Sequence, residues 1–293
     1  MKYNIELLRL IAVILITFTH TRHNFSDGIT FFILEKLPSY GTFTLSIISG
    51  YLYFKISRKN KNLFSKKIKS LVIPYLIANI SVLVIVLLFS QVFNIDYLNR
   101  LGFNASLFYE GILSLNSPPI NPPTFFIRDI FIIFVLIEVI LNRKYKLLAI
   151  IIPLLIFGQL LLRYDIIILF IMGVLIAKYL NKENSLYFKG FAFSIFLILF
   201  YLNLIYFEYF LSILIFLFII NYEFKFFNVG GYTYLLHLYH SPIIVFIYPI
   251  IDNYIFNPHI KIILQITLSM CFVYLLFLIT RKFKFLRILS GQR

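Results

Sequence analysis

Charged residues are scarce in this chain. Only 13% of its 293 residues are Asp, Glu, Lys or Arg, whereas 61% are hydrophobic and 19% are aromatic. A soluble domain carries roughly 25% charged residues, and the few polar side chains present here could not cover the surface of a soluble core. The composition therefore excludes an ordinary soluble protein and favours one whose surface faces lipid.

Cysteine pairs and internal repeats are also missing, and we expect no cleavable leader. Cys271 is the only cysteine, so the chain forms no internal disulfide. Its cysteine content therefore does not indicate an oxidising or a reducing compartment. Glu6 and Arg9 interrupt the first apolar stretch, and no small-residue cleavage site follows it, so we expect the first helix to be retained. We predict a single domain over residues 1–293 with no soluble extra domain.

The chain does contain long apolar runs. Leu71–Asn94 and Leu147–Leu162 carry no charge, and roughly 20 helical residues cross a hydrocarbon core of about 30 Å. Because the runs are continuous rather than alternating, they favour helices over a barrel. We predict an all-α integral membrane protein with about ten transmembrane helices in one bundle. The predicted spans are Ile5–Thr21, Thr42–Phe54, Leu71–Phe93, Thr124–Leu141, Leu147–Leu162, Asp165–Tyr179, Tyr187–Ile205, Tyr209–Tyr222, Gly231–Ile251 and Ile260–Thr280.

The basic residues sort between the two sides of these spans. With a cytoplasmic N-terminus, 20 of the 27 Lys and Arg residues lie on the cytoplasmic side, five lie on the other side, and Arg9 and Arg128 fall within spans. Short loops rich in Lys and Arg stay in the cytoplasm, so we predict that both termini are cytoplasmic. Topology and anionic headgroups then explain the net charge of +15, and we expect the bilayer, not nucleic acid, as the partner.

Two ionisable residues of the first span are candidates for chemistry. An ionisable group at the centre of a membrane helix costs at least about 2.5–3.5 kcal/mol, so it marks a functional site by default. Arg9 and His20 are eleven residues apart, which places them on one helix face about 16 Å apart along the axis. The alternative is that Arg9 extends to the cytoplasmic interface and His20 sits at the outer one.

A second candidate lies in the ninth span. His237 and His240 are three residues apart and share a helix face, and Pro242 leaves a backbone carbonyl one turn earlier without its helical donor. Two imidazoles beside such a break indicate a functional site rather than packing. Two His residues with no nearby carboxylate are weak support for a metal, and we expect none.

Two further charged segments allow two interpretations each. Arg128 and Asp129 near the outer end of the fourth span are either a local ion pair or a charged wall for a polar substrate. The basic loop Lys55–Lys69 reflects either the positive-inside bias or a cytoplasmic dock for a phosphorylated donor. Glu138, deeper in the fourth span, is a candidate partner for another buried charge.

Five motifs, in this order, resemble the acyltransferase-3 family of membrane-bound O-acyltransferases over nearly the whole chain. They are Arg9 with His20, Ser49-Gly50-Tyr51, the basic segment Lys66-Lys67-Ile68-Lys69-Ser70 leading to Pro74, Phe125-Phe126-Ile127-Arg128, and the late motif Thr233-Tyr234, His237-Leu238 and His240-Ser241-Pro242. The chain departs from the family where paired arginines are replaced by Lys67 and Ser70, Trp by Phe125, and Tyr by His237. A lysine provides a point charge rather than a bidentate fork.

The resemblance implies an enzyme of the bacterial cytoplasmic (inner) membrane, crossing it several times. It would move an acyl group, commonly acetyl, from cytoplasmic acetyl-CoA to a sugar hydroxyl of a surface polysaccharide or its lipid-linked precursor. Acyl-CoA is then a donor substrate, and no tightly bound cofactor is expected. The acceptor is a saccharide, as in bacterial surface-glycan O-acetyltransferases.

The resemblance also implies roles for individual residues. His20 would deprotonate the acceptor hydroxyl or carry the acyl group itself, because imidazole titrates near pH 7. The implied donor-phosphate ligands are Arg9, Lys66, Lys67 and Lys69, and the implied oxyanion donor is Arg128, Tyr234 or His240. The donor is cytoplasmic, whereas His20 is near the outer side. Either a cavity lets the pantetheine arm of the donor reach His20, or the acyl group is passed across the membrane in separate steps.

Two other classes of protein share some of these features. A transporter or flippase for a lipid-linked saccharide would also need buried charges, but it would need no acyl donor. A polysaccharide polymerase tends to carry one large outer loop, and the longest outer loop here, Asn94–Pro123, is modest.

Overall fold

The computed structural model describes residues 3–60, 62–93, 98, 101–102, 104–142, 144–156, 160–180, 184–202, 206–222 and 225–291. Over these ranges the secondary structure is helical, and no strand occurs within them. The long helices of the described chain are α1 (Tyr3–Thr19), α2 (Ser39–Lys55), α3 (Ile73–Phe93), α4 (Phe125–Leu141), α5 (Tyr145–Ile156), α6 (Tyr164–Tyr179), α7 (Ser185–Tyr201), α8 (Phe207–Ile220), α9 (Gly230–Tyr254) and α10 (Pro258–Lys282). The short helices Leu63–Lys67 and Ile68–Val72 lead directly into α3.

Each predicted span overlaps one of these helices, which confirms the helical fold class. Among the described residues, three helical runs are long and apolar enough to cross a membrane, namely Leu63–Val92, Gly230–Tyr254 and Pro258–Lys282. The ten crossings and the cytoplasmic termini stay predictions. The spans Leu147–Leu162 and Tyr187–Ile205 extend into residues 157–159 and 203–205, which lie outside the described residues. The same holds for six of the counted basic residues, Lys2, Lys61, Arg100, Arg143, Lys182 and Arg293.

The chain divides into two compact units, each built from two separate segments. The first unit comprises Met1–Lys61 and Asp165–Thr233, and the second comprises Asn62–Tyr164 and Tyr234–Arg293. The expectation of a single domain stays a prediction.

The first unit packs α1, α2, α6, α7 and α8 around one apolar core. Ile47, Leu169 and Phe216 are fully buried at its centre. At one edge of this core the buried amide of Asn4 donates to the carbonyl oxygens of Ile219, Ile220 and Tyr222 at 2.8–3.0 Å. These are carbonyls at the C-terminal end of α8, where a helix has no donors of its own. Asn4 therefore ties α1 to the end of α8.

Two glycines bring α2 and α6 into backbone contact. A Cβ atom on Gly50 would overlap the carbonyl oxygen of Phe170, and one on Gly173 would overlap that of Ile47. Membrane helices commonly use small residues in this way to approach closely. The Ser-Gly pair that resembles the family motif thus has a packing function here, while Ser49 Oγ donates to the Leu45 carbonyl at 2.8 Å.

Gly50→Ala is expected to destabilise the protein by about 1–3 kcal/mol, because the added methyl group must push the two backbones apart. Gly190→Ala on α7 is the matched control, since a Cβ there meets open space. That substitution should be neutral or stabilise by up to about 1 kcal/mol. Thermal unfolding in detergent measures both changes, and equal effects from the two substitutions would contradict the packing described.

The second unit is held by contacts among α3, α4, α9 and the segments between them. The rings of Phe89 on α3 and Phe246 on α9 stack with centroids 5.7 Å apart. The hydroxyl of Tyr75 donates to the carbonyl of Ile112 at 2.7 Å, which fixes the segment between α3 and α4. Within that segment, Glu110 accepts bonds from the backbone and side chains of Asn116 and Ser117.

These bonds decide the charge state of Glu110. Partial burial raises the pKa of this carboxyl, but the four donors outweigh it and lower the pKa below its usual value. Glu110 is therefore ionised at neutral pH and holds residues 110–117 in a fixed turn. That turn ends four residues before Asn121.

Candidate active site

Arg9 is paired with a buried carboxylate in the first unit. Its Nη1 donates to Glu6 Oε1 at 3.1 Å, and the two side chains are 16% and 3% exposed. The other oxygen, Glu6 Oε2, is buried and has no hydrogen-bond partner among the described residues. It lies 2.9 Å from where a Cβ atom on Gly230 would be. Arg9 is thus held beside a buried acid, whose place in the sequence indicates only an interruption of the apolar run.

His20 lies one residue beyond the end of α1. Its backbone N–H bonds to the Thr17 carbonyl at 3.2 Å, which closes a tighter turn than the helix itself, and the side chain is half-buried. The expected alignment of Arg9 and His20 on one helix face assumes helical geometry through His20. The helix ends at Thr19, and the turn that follows sets the position of His20.

His23, three residues further on, contacts two other residues of the first unit. Its Nε2 lies 3.2 Å from Glu35 Oε1, and its Nδ1 accepts from the Phe25 N–H at 3.3 Å. This ring ties the loop after α1 to the short helix Phe32–Lys36.

The basic segment belongs to the second unit and begins the helical run into α3. Lys66 and Lys69 are exposed, whereas the Lys67 ammonium lies over the Phe134 ring, 4.0 Å from its centroid. A cation in this position is attracted by the negative face of the ring. Of the three lysines among the predicted donor ligands, Lys66 and Lys69 are therefore exposed and Lys67 is held against α4.

Tyr234 joins this basic segment to the histidine helix α9. Its hydroxyl donates to the Ser70 carbonyl at 2.9 Å. Gly291, near the end of the chain, packs at the same place, because a Cβ atom on it would lie 2.7 Å from Ser70 O and 3.2 Å from Tyr234. Its φ of +66° is one that favours glycine. The Tyr234 hydroxyl has one proton, and in this conformation it donates that proton to the Ser70 carbonyl.

His240 is fully buried, and its hydrogen bond selects one tautomer. Nδ1 lies 2.6 Å from the carbonyl oxygen of Leu236, which can only accept, so Nδ1 carries the proton. In the neutral ring Nε2 therefore has the lone pair and accepts; it donates only when the ring is protonated. His237 is also buried, its ring centroid 6.4 Å from that of His240 and 5.7 Å from that of Phe126.

Arg128 forms the local ion pair that was one of its two interpretations. Its Nη1 donates to Asp129 Oδ1 at 2.7 Å. Asp129 is fully buried and also accepts the backbone N–H groups of Leu162 and Arg163, each at 3.1 Å. Asp129 thus fixes the segment that precedes α6, a function that neither interpretation of the Arg128–Asp129 pair includes.

The predicted site residues fall into two groups. Arg9 and His20 belong to the first unit, and Lys66, Lys67, Lys69, Arg128, Tyr234 and His240 belong to the second. Within the second unit, Tyr234 touches the basic segment, and His240 follows six residues later on the same helix, about 9 Å further along its axis. No group of three or more His, Cys, Asp or Glu side chains that could hold a metal occurs in the described part of the chain.

These features define a helical membrane protein with two buried imidazoles on α9. They lie about one and two turns after Tyr234, the residue that contacts the basic segment. The chain matches the acyltransferase-3 family model, described as an acyltransferase domain, over residues 2–281, and it belongs to that family. The resemblance drawn from the motifs is thereby confirmed. Proteins of this family are membrane proteins, and this one is an acyltransferase. No curated protein and no solved structure matches the chain.

Proposed function

We propose that this protein is a membrane O-acyltransferase that moves an acetyl group from cytoplasmic acetyl-CoA to a sugar hydroxyl. The acceptor is a surface polysaccharide or its lipid-linked precursor. The observation that carries this proposal is the family match over residues 2–281. The placement proposed is the bacterial inner membrane, crossed about ten times with both termini in the cytoplasm, in keeping with the bias of Lys and Arg.

The donor end of the site is the basic segment that starts the run into α3. Lys66 and Lys69 are exposed, and their ammonium groups are suited to the phosphates of the donor. Tyr234 holds this segment to α9 through Ser70. Donor phosphates bound here would lie near the Tyr234 end of α9, about 9 Å along its axis from His240, which supports delivery of the acyl thioester toward the buried imidazoles.

The transfer itself needs a base and a donor for developing negative charge. A base takes the proton of the acceptor hydroxyl, the oxygen attacks the thioester carbonyl, and the coenzyme thiol leaves with a proton. We assign the base, or the acyl carrier, to His20. Arg128, Tyr234 or His240 would then donate to the oxyanion. For Tyr234 this requires release of the Ser70 carbonyl, and for His240 it requires the protonated ring.

Isolated membranes with labelled acetyl-CoA test this function against the flippase alternative. Membranes that contain the protein should place acetyl label on saccharide, and membranes without it should not. A flippase would instead move the lipid-linked saccharide with no dependence on acetyl-CoA, and that result would reverse the assignment.

Replacing Lys66 and Lys69 together by Ala should raise the apparent KM for acetyl-CoA about tenfold or more, since each removes a charge available to the donor phosphates. The matched control is Lys144→Ala with Lys146→Ala, which removes two exposed charges from another loop predicted to be cytoplasmic. Protein level must be followed, because removing cytoplasmic charges also disturbs insertion. An equal KM in both double variants would return the segment to a purely topological role.

A further inference from the structure

Asn121 contacts the helix that carries the two histidines at one specific backbone atom. Its Nδ2 donates to the carbonyl oxygen of Leu238 at 2.6 Å, and both groups are buried. In an unbroken helix this carbonyl would accept from the N–H four residues later. That residue is Pro242, which has no N–H, so the side chain of Asn121 supplies the donor that proline removed.

A buried network holds Asn121 in place through its backbone. Its N–H donates to Asn79 Oδ1 at 3.2 Å, and its carbonyl accepts from Thr124 Oγ1 at 2.8 Å. Asn79 Nδ2 in turn donates to Thr124 Oγ1 at 3.0 Å. All three residues are fully buried, and together they connect α3, the start of α4 and α9 within the second unit.

The bonded carbonyl lies within the turn that sets the His240 ring. Leu238 stands between His237 and His240, and the same turn includes Leu236, whose carbonyl accepts from His240 Nδ1. In a membrane, backbone groups released by proline must be satisfied by other groups, and a neighbouring helix is one source. Here a fixed amide meets that need, so it also fixes the turn on which the imidazole depends.

We propose that Asn121 is a positioning residue for His240, acting through the Leu238 carbonyl that Pro242 leaves open. The inference rests on the proposed acyl transfer and names a residue outside the motifs that resemble the family. Asn121 contacts the helix backbone, not the reacting atoms. Without Asn121 Nδ2 the Leu238 carbonyl has no donor and the turn from Leu236 to His240 is less constrained. The direction in which His240 Nε2 points is then no longer fixed.

A double-mutant cycle tests whether Asn121 acts through the Leu238 carbonyl, because Pro242→Ala restores the missing helical N–H. Asn121→Leu keeps the backbone bonds to Asn79 and Thr124 and removes only the bond to Leu238. In the wild-type background it should lower kcat about tenfold with the acetyl-CoA KM unchanged. In a Pro242→Ala background the same substitution should lower kcat less than about threefold, because the helix then satisfies Leu238 itself.

Pro249→Ala is the matched control, since Pro249 lies in the same helix but leaves the carbonyl of Val245, not Leu238, without a donor. The full loss from Asn121→Leu should persist in that background. Equal losses of kcat in the wild-type and Pro242→Ala backgrounds, or a loss confined to KM, would overturn the proposal. Should Asn121→Leu fail to accumulate, accumulation of the double variant with Pro242→Ala supports the proposal and its failure overturns it.

Thermal unfolding midpoints of the same proteins separate this inference from the proposed function, because they need no substrate. A midpoint that Asn121→Leu lowers in the wild type but not beside Pro242→Ala supports the bond even if no acyl transfer is found, and the proposed function alone then fails. Midpoints lowered equally in both backgrounds overturn the bond whatever the activity.

Discussion

His20→Ala is expected to abolish acyl transfer while the protein still inserts and accumulates. General acid–base catalysis contributes about 10²–10⁴-fold, so the rate of transfer should fall by at least that range. If the ring carries the acyl group, transfer should disappear. The side chain is half-buried in a turn at the end of α1, so its loss should leave the core of the first unit intact. Transfer to saccharide in membranes, normalised to protein level, measures the effect.

The control for this substitution is His259→Ala, which removes an exposed imidazole at the start of α10. His23 looks like the natural control from the sequence, since it stands three residues after His20 and is predicted to tolerate Ala. Its contact with Glu35 makes it a structural residue, so a loss at His23 would not identify the base. Near-normal transfer by His20→Ala would show that the base lies elsewhere.

His240→Asn is expected to lower transfer about 10²-fold or more while keeping the fold. The asparagine Nδ2 takes the place of the ring Nδ1 and can still donate to the Leu236 carbonyl. What disappears is Nε2, the only atom of this ring through which His240 can act on a substrate. The variant therefore separates the chemistry of the ring from its structural bond.

His240→Leu is the comparison that makes this result specific. It removes both nitrogens, leaves the buried Leu236 carbonyl without its donor, and should lower the unfolding midpoint where His240→Asn does not. Transfer that survives in His240→Asn but not in His240→Leu would assign His240 to packing alone and remove it from the site.

Helix positions could be predicted from the sequence, since long uncharged apolar runs mark them directly. The predicted span Asp165–Tyr179 and the helix α6 (Tyr164–Tyr179) differ by one residue. The second span is predicted from Thr42 with an extension back to Tyr40 or earlier, and the helix α2 begins at Ser39, directly after Pro38. The predicted span Leu147–Leu162 coincides with α5 as far as Ile156, and residues 157–159 lie outside the described residues.

The candidate site could be predicted only where a residue breaks a local rule. Arg9 and His240 were found because a charge or an imidazole is costly inside an apolar run. The pairing of Glu6 with Arg9 is local, three residues apart on one helix, and its spacing could have indicated it. The bonds that Asp129 accepts from Leu162 and Arg163 could not be predicted, since tertiary contacts set them. Asn121 and Leu238 are 117 residues apart, and no periodicity joins them. The one signal for Asn121 was Pro242, which predicts an open carbonyl but not the residue that satisfies it.

The most direct test of the central claim is transfer by the purified protein in proteoliposomes given doubly labelled acetyl-CoA. One label is placed in the acetyl group and the other in the adenine. Acyl transfer predicts that the acetyl label alone moves to an added saccharide acceptor, that the adenine label stays with free coenzyme, and that His20→Ala protein moves neither. Saccharide that crosses the bilayer without gaining acetyl label, at the same rate with and without acetyl-CoA, would contradict the account.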